Sequence, residues 1–193
     1  MPHLTRADLM NLETYAQERE AFRVRVVAHK KNRRVSLGDN AGLYFEDRLT
    51  MQYQIQEMLR VERIFEPEAI EQELVAYNPM IPDGDNWKAT FMVEYEDPEA
   101  RRVALTKLIG VGERVYVRVQ GHRAVFAIAD EDLPREDEDK TSAVHFLRFQ
   151  LDAAMVRDAK VGAALSMGVD HGQLCVETTA TEPVRAALAA DLI

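Results

Sequence analysis

The chain has 193 residues, and its 33 acidic residues outnumber its 24 lysines and arginines, which gives a net charge of −9. Apolar residues make up 47% of the chain, which is typical of a folded domain with a substantial core and excludes a disordered tail or a collagen-like repeat. A single cysteine, Cys175, excludes an intrachain disulfide and a cysteine-only metal site. The chain has no apolar run of roughly 18 residues and no signal-peptide pattern, so we expect a cytoplasmic protein.

The first half of the chain is predicted to be mostly helical. Thr5 and Asp8 form an N-cap pattern that predicts a long first helix, although the valines at 24–27 favour an extended end. Glycine, aspartate and asparagine between two short apolar runs predict a β-hairpin. In chain order, the predicted elements are a helix over 6–31, the hairpin at 34–46, helices over 50–65 and 67–76, and a proline-rich loop at 77–86.

The second half is predicted to be an antiparallel sheet with short helices. In chain order, the predicted elements are a strand over 87–95, a helix over 98–108, a hairpin of 113–120 with 123–129, an acidic loop, a central strand over 143–151, a helix over 153–159, strands over 163–169 and 174–178, and a helix over 183–192. Neither half buries its apolar face alone. We therefore expect one α+β domain over 1–193, with a helix-rich part (1–80) and a largely antiparallel sheet covered by helices (87–193).

A basic run at 29–34 carries four full positive charges in six residues. It follows the predicted first helix, where cations complement the C-terminal end of the helix dipole, so we interpret it as a solvated helix end. Contact with phosphate is the alternative interpretation. Because the chain is acidic as a whole, nucleic acid is not an expected partner, and neither is a membrane.

One predicted helix face carries a carboxylate among apolar residues. On a helical wheel of the segment 50–65, Glu62 falls inside the stripe formed by Ile55 and Leu59. A carboxylate that faces a core is costly unless it is paired, coordinated or protonated. Glu62 is therefore a metal ligand or general base, or the partner of a buried arginine or of backbone donors, or a residue that reaches water where the helix bends. Two further polar residues flank the stripe: Gln54 and Glu57.

Two histidines occupy positions suited to chemistry. His145 alternates with apolar residues on a predicted strand, and His171 lies at the exit of another strand. With Glu62 and Glu46 they could form a nitrogen–oxygen metal site, whereas the alternative is a satisfied core histidine. Neither an HExxH nor a Glu-x-x-His spacing supports this metal site, and the cofactor stays unknown.

Several motifs spread over the chain resemble one bacterial family: Arg34-Val35-Ser36-Leu37-Gly38, Phe45-Glu46, Thr50, Tyr53-Gln54-Ile55-Gln56-Glu57-Met58, Glu62, Val144-His145-Phe146-Leu147-Arg148-Phe149, Val169-Asp170-His171, Leu188 and Asp191-Leu192. The family is domain-of-unknown-function family 3501, which has no assigned activity. The chain departs from it after His171, where Gly172-Gln173-Leu174 replaces an expected proline and tyrosine. The resemblance supplies no catalytic residues, but it singles out Arg34, Glu46, Gln54, Glu57, Glu62, His145 and Arg148.

The resemblance also implies a biological setting. Members are often encoded beside rubrerythrin-like and iron–sulfur oxidoreductase genes, which implies a small cytoplasmic bacterial protein in peroxide or redox metabolism. Our leading hypothesis is a non-catalytic accessory or partner-binding protein of that system. The rival hypothesis is an enzyme or sensor with a polar or metal site built from six residues: Glu46, Glu57, Glu62, His145, Arg148 and His171.

Overall fold

The structure is a computed structural model that describes residues 2–193. Within these residues the α-helices are α1 (Leu12–Lys30), α2 (Arg48–Val61), α3 (Pro67–Tyr77), α4 (Pro98–Lys107), α5 (Ala153–Lys160) and α6 (Glu182–Ala190). The strands are β1 (Arg34–Ser36), β2 (Ala41–Phe45), β3 (Asn86–Val93), β4 (Val115–Val119), β5 (Val125–Phe126), β6 (Ile128–Ala129), β7 (Val144–Gln150), β8 (Leu165–His171) and β9 (Leu174–Thr179).

Two antiparallel sheets form the centre of the fold, so the predicted α+β class is confirmed. The first sheet has the strand order β1-β2-β3-β7-β6 and the second has the order β5-β4-β8-β9. Side chains from both sheets enter one apolar core, including Trp87, Phe91, Phe149, Val117 and Met167, and helices α4, α5 and α6 border this core. Because strand residues alternate between faces, the other face of the first sheet is left to form a surface.

The N-terminal helices pack beside the sheets around smaller cores of their own. Helix α2 contacts both α1 and α3. Leu4, Ile55 and Leu74 belong to one cluster, and Tyr15 and Phe22 belong to another. No helix in residues 2–193 combines the length and the apolar character that crossing a membrane requires.

The first helix begins later than its capping pattern predicted. Thr5 and Asp8 cap only a short 3-10 turn, and α1 starts at Leu12, where Asn11 accepts a hydrogen bond from the Thr14 backbone N–H at 2.8 Å. The helix then continues to Lys30, so the extended end favoured by the valines was wrong. Packing of Val26 into the α1–α2 core overrides the β-propensity of its neighbours.

The second helix ends earlier than predicted, and this places Glu62 in a different environment from the one predicted. Asp47 caps the start of α2 by accepting the Thr50 backbone N–H at 2.9 Å. At the other end Arg63 has a left-handed φ of 55°, and the Ile64 N–H donates to the Leu59 carbonyl at 2.9 Å. This geometry is that of a Schellman C-cap. Glu62 is the C-cap residue and is exposed, so the predicted position inside the apolar stripe was wrong.

The strand predicted over 123–129 divides between the two sheets. Val125–Phe126 pairs with β4, as the predicted hairpin requires, whereas Ile128–Ala129 pairs with β7 in the first sheet. Ala127 is buried at the crossing point. Because Ile128–Ala129 joins the first sheet, the acidic loop that follows it begins at the edge of this sheet, beside the candidate site.

Candidate functional site

The eight predicted site residues do not form one site. Within the described chain, 2–193, no hydrogen bond or ion pair joins any two of them, and each contacts other residues or solvent. Arg34 is exposed and lies near Glu94 at 3.2 Å, while the buried Glu46 accepts a hydrogen bond from the Thr90 hydroxyl at 2.7 Å. Gln54 is half-buried on α2.

The paired carboxylate of α2 is Glu57, not Glu62. Glu57 accepts two hydrogen bonds from Arg19, at 2.7 and 2.8 Å, and one from the Tyr15 hydroxyl at 2.6 Å. The Arg19 guanidinium is the main cause that lowers the pKa of Glu57 to about 2. One interpretation of Glu62 was a carboxylate paired with an arginine. Glu57 has this role instead, and its pair with Arg19 holds α1 against α2.

His145 is buried on β7, and both of its ring nitrogens have partners. Nδ1 lies 2.6 Å from Asp130 Oδ2, and Nε2 lies 2.9 Å from the Thr141 hydroxyl and 3.1 Å from the Ser142 carbonyl. Asp130 has a left-handed φ of 52°, and its Oδ1 accepts the Phe146 backbone N–H at 2.9 Å. These contacts match the satisfied core histidine that was the alternative to a metal ligand.

The order aspartate, histidine, hydroxyl resembles that of a hydrolytic triad, but its surroundings do not suit acyl transfer. The Thr141 hydroxyl is buried and also lies 3.2 Å from Glu136 Oε2. The neighbouring backbone N–H groups are occupied, because Thr141 donates to the Leu105 carbonyl and Ser142 donates to the Arg135 carbonyl. Catalysis would need free N–H donors beside the hydroxyl to stabilise an oxyanion. The arrangement instead fixes the acidic loop onto β7.

The predicted metal group of Glu62, His145 and His171 is not assembled. His171, at the end of β8, lies 3.1 Å from the Ile109 carbonyl through Nε2, and its Nδ1 accepts the Gln173 N–H at 3.2 Å. In residues 2–193, no three His, Cys, Asp or Glu side chains are arranged to hold a metal ion. The prediction failed because it assumed that three distant segments meet.

A buried ion cluster was missed by the sequence analysis. This Arg33 cluster consists of His29, Arg33, Asp47 and Asp191. Arg33 donates two hydrogen bonds to Asp191, at 2.8 and 2.6 Å, and its Nε lies 2.9 Å from Asp47. His29 Nε2 lies 2.6 Å from the same Asp47 oxygen. The basic run is therefore not solvated throughout, because Arg33 is only 4% exposed.

Burial and pairing act in opposite directions on the central pair of this cluster. Burial raises the pKa of Asp191, against the opposing effect of its hydrogen bonds from Arg33. Burial also acts to lower the pKa of Arg33, but the hydrogen bonds to Asp191 and the charges of Asp47 and Glu46 outweigh it and raise that pKa. We interpret the pair as ionised, since both guanidinium nitrogens meet carboxylate oxygens in a bidentate geometry.

A cleft of about 870 Å³ lies on the outer face of the first sheet. Its floor is formed by the outward side chains of β7 and the start of β3, one wall by the end of α3 and the turn after it, and the other wall by the acidic loop. The lining residues are Val75, Ala76, Tyr77, Pro79, Met80, Asp83, Asp85, Asn86, Lys88, Glu131, Asp132, Arg135, Phe146, Leu147, Arg148 and Gln150. Of the predicted site residues, this set contains Arg148.

The cations of the cleft lie deeper than its carboxylates. Lys88 Nζ is buried, donates to the Ile81 carbonyl at 2.8 Å and lies 2.9 Å from Asp83. Arg148 makes a bidentate pair with Glu131, at 2.8 and 2.7 Å, and this pairing lowers the pKa of Glu131 and raises that of Arg148. The carboxylates of Asp83 and Glu131 are about half exposed, so they face solvent at the rim.

Phe146 gives the floor an aromatic surface beside these ion pairs. The Arg135 guanidinium lies 4.3 Å from the centroid of the Phe146 ring, in a cation–π contact. Val75, on the opposite wall, is 73% exposed. The cleft therefore combines an apolar wall and floor with a ring of paired charges, a composition typical of binding sites.

Sequence signals could have identified part of this site. Lys88 interrupts an apolar strand, which is the same signal of a buried charge that drew attention to Glu62. The sequence predicted only an acidic loop before the strand over 143–151, yet Asp130 pairs with His145 and Glu131 pairs with Arg148. Sequence pattern alone does not show which strand a loop will cross.

The comparisons with known proteins decide the family. The model of the family described as "Protein of unknown function (DUF3501)" matches residues 3–192. The chain belongs to this family. The DUF3501 chain is also similar to the crystal structure of a novel protein of unknown function from Burkholderia pseudomallei K96243, with 49% identity, full coverage of both chains and a TM-score of 0.95. No curated protein matches the chain. The resemblance seen in the sequence is therefore confirmed, and it assigns no activity.

Proposed function

We propose that this protein is a non-catalytic accessory factor that binds a partner protein through the cleft. The observation that carries the proposal is the composition of the cleft, in which an exposed apolar wall faces ion pairs that already satisfy each other. The described residues that line it include no serine, threonine, cysteine or histidine. A surface of this kind supports recognition of apolar side chains flanked by charges.

We further propose that the partner belongs to cytoplasmic redox or peroxide metabolism in a bacterium. The support is the genomic neighbourhood implied by the family, in which rubrerythrin-like and iron–sulfur oxidoreductase genes recur. The candidate partners are the products of those genes. The cleft offers an anchoring surface at Val75 and Phe146, which is bordered by the partly exposed ion pairs Lys88–Asp83 and Arg148–Glu131.

A pull-down with the purified chain tests both parts of the proposal. We expect the wild-type protein to retain a rubrerythrin-like or iron–sulfur partner, and the cleft variants Val75→Glu and Arg148→Met to lose it. Arg102→Met is the matched control, because Arg102 also makes a bidentate pair, with Glu99 on α4, but does not line the cleft. Recovery of neither partner would count against the redox assignment, and full retention by both cleft variants would exclude the cleft as the binding surface.

A further inference from the structure

The ring of His145 contacts both ends of the acidic loop, residues 130–142, at the same time. Its Nδ1 lies 2.6 Å from Asp130 at the start of the loop, and its Nε2 lies 2.9 Å from Thr141 and 3.1 Å from Ser142 at the end. His145 is only 1% exposed, so water does not replace these partners. One buried side chain therefore joins the two ends of a loop that forms one wall of the cleft.

The partners of His145 determine how many protons its ring carries. The Asp130 carboxylate also accepts the Phe146 backbone N–H and lies 3.1 Å from the Arg135 guanidinium, so it is ionised and needs an N–H at Nδ1. The Ser142 atom is a carbonyl oxygen, which can only accept, so Nε2 needs a hydrogen as well. A neutral ring has one N–H and would set a lone pair against one of these oxygens.

The Thr141 hydroxyl supports the same protonation state. It has a single hydrogen, and the carboxylate oxygen Oε2 of Glu136, at 3.2 Å, accepts it. The Gly110 backbone N–H donates to that same oxygen at 2.8 Å and so fixes its position. The hydroxyl oxygen is then an acceptor for the Nε2–H of His145. All three oxygens that face the ring nitrogens therefore act as acceptors.

The surroundings of the ring balance a positive charge. Residues 130–142 contain seven carboxylates against one arginine and one lysine. The charged groups around the ring are Asp130, Arg135 and Glu136, and its uncharged neighbours are Phe91, Gly112, Thr141 and Ser142. A protonated ring offsets part of the repulsion among the carboxylates of the loop, and a neutral ring does not.

We propose that His145 is a pH switch, which holds the acidic loop in place while both ring nitrogens are protonated and loosens it on loss of one proton. The ring then no longer donates to both ends of the loop, and a lone pair faces an oxygen at one of them. Glu131 and Asp132, which line the cleft, lie directly after the Asp130 contact. The cleft wall is therefore ordered at lower pH and loosened at higher pH. This switch does not depend on a partner, because the loop is observed in the chain alone.

Nitrogen-15 NMR of the histidine rings tests the protonation state directly. In the wild-type chain at about pH 7, we expect both ring nitrogens of His145 to give the signals of N–H nitrogens. The His145→Gln variant, which lacks these signals, assigns them. An unprotonated ring nitrogen in His145 at this pH would overturn the proposal.

Amide hydrogen exchange tests the loosening of the loop. Each rate is compared with that of an unstructured peptide at the same pH, so that the direct effect of pH on exchange cancels. Asp130 and Ser142 donate their N–H groups to the carbonyls of Phe146 and Arg135. Between about pH 6 and about pH 9, the protection of both should fall about tenfold as His145 loses its proton, while the amides of β3 stay protected. Loop protection that stays constant after the ring has lost its proton would contradict the proposal.

Two variants separate the switch from a general effect of pH. His145→Gln cannot become charged, so we expect weak protection of the loop that no longer changes with pH. His122→Gln is the matched control, because His122 also faces a carboxylate, Asp158 at 2.6 Å, but lies outside the loop and the cleft. It should keep the wild-type pH dependence. Wild-type pH dependence in His145→Gln, or its loss in His122→Gln, would overturn the proposal, and the wild-type measurements decide it even where His145→Gln does not fold.

Discussion

The Arg33 cluster and the cleft use the same kinds of side chain at different exposure to solvent. Arg33 and Asp191 are 4% and 2% exposed and bring the C-terminal end of the chain against the end of α1. Arg148 and Glu131 make an equally short bidentate pair, but their side chains are 26% and 50% exposed on the surface of the first sheet. The distances do not distinguish the two pairs, whereas burial does.

This difference separates a structural role from a binding role. Removing one partner of a buried pair leaves the other charge without water or a counter-ion, so the fold depends on it. An exposed pair exchanges readily with water, and its loss costs little stability. A partner protein can therefore displace Glu131 from Arg148 far more easily than it could displace Asp191 from Arg33.

The largest effect is expected at the centre of the Arg33 cluster. Arg33→Met should lower the free energy of unfolding by about 3–5 kcal/mol, because two buried carboxylates lose their counter-ion. Urea unfolding followed by the fluorescence of the single, buried Trp87 measures it. The control Arg102→Met, in an exposed pair, should change stability by less than about 0.5 kcal/mol. A similar small change in both variants would remove the distinction between the two regions.

An intermediate effect is expected at Glu57, whose pair with Arg19 is partly shielded. Glu57→Gln should cost about 1 kcal/mol at neutral pH, since charge-assisted hydrogen bonds are lost at a site that solvent still reaches. Because the pKa of Glu57 is lowered from 4.5 to about 2, its ionised form stabilises the fold fully above pH 4.5, and this contribution is lost as the pH falls towards 2. The difference in stability between wild type and variant should therefore shrink on acidification. A constant difference across that range would show that the charge of Glu57 does not matter.

A smaller effect on stability is expected in the cleft. Arg148→Met should lower the free energy of unfolding by less than about 1 kcal/mol, while the variant loses the partner in the pull-down. Chemical denaturation and binding are measured on the same preparation. A loss of stability comparable to that of Arg33→Met would mean that the cleft pairs support the fold rather than recognition.

The smallest effect is expected at Glu62. This residue is exposed at the C-cap of α2, so Glu62→Gln should change the free energy of unfolding by less than about 0.5 kcal/mol. Thermal melting compares Glu62→Gln directly with Glu57→Gln, because both carboxylates belong to the segment 50–65 that was predicted to be one helix. A large loss of stability in Glu62→Gln would instead support the interpretation that the Glu62 carboxylate is paired or coordinated.

The sequence predicted the fold class and the order of elements well, because these depend on local periodicity. The β1–β2 hairpin and the interior position of β7 follow from turn residues and alternation that any sheet requires. The end of α2 could not be predicted in this way. It depends on Arg63 adopting a left-handed conformation, which non-glycine residues adopt only where the surrounding structure supports it.

The candidate site was predicted less well for a related reason. The predicted helix extended four residues beyond the observed end of α2, and its helical wheel placed Glu62 on the apolar face. Glu57, which does pair with Arg19, was treated as a flanking residue. The pairing partners of Arg33 and Arg148 lie on segments distant in sequence, and no alternation or spacing reveals which segments meet. His145 was correctly placed on a buried strand face, but its neighbours were not predictable.

The contact between Arg33 and Asp191 also has a kinetic consequence. The two residues are 158 positions apart, so bringing them together requires closure of a loop that includes both sheets. We expect such a contact to form after the folding barrier has been crossed, when the strands between them are already paired. A substitution at Arg33 should then act mainly by accelerating unfolding, with the refolding rate almost unchanged. The pair would in that case set how long each folded molecule persists.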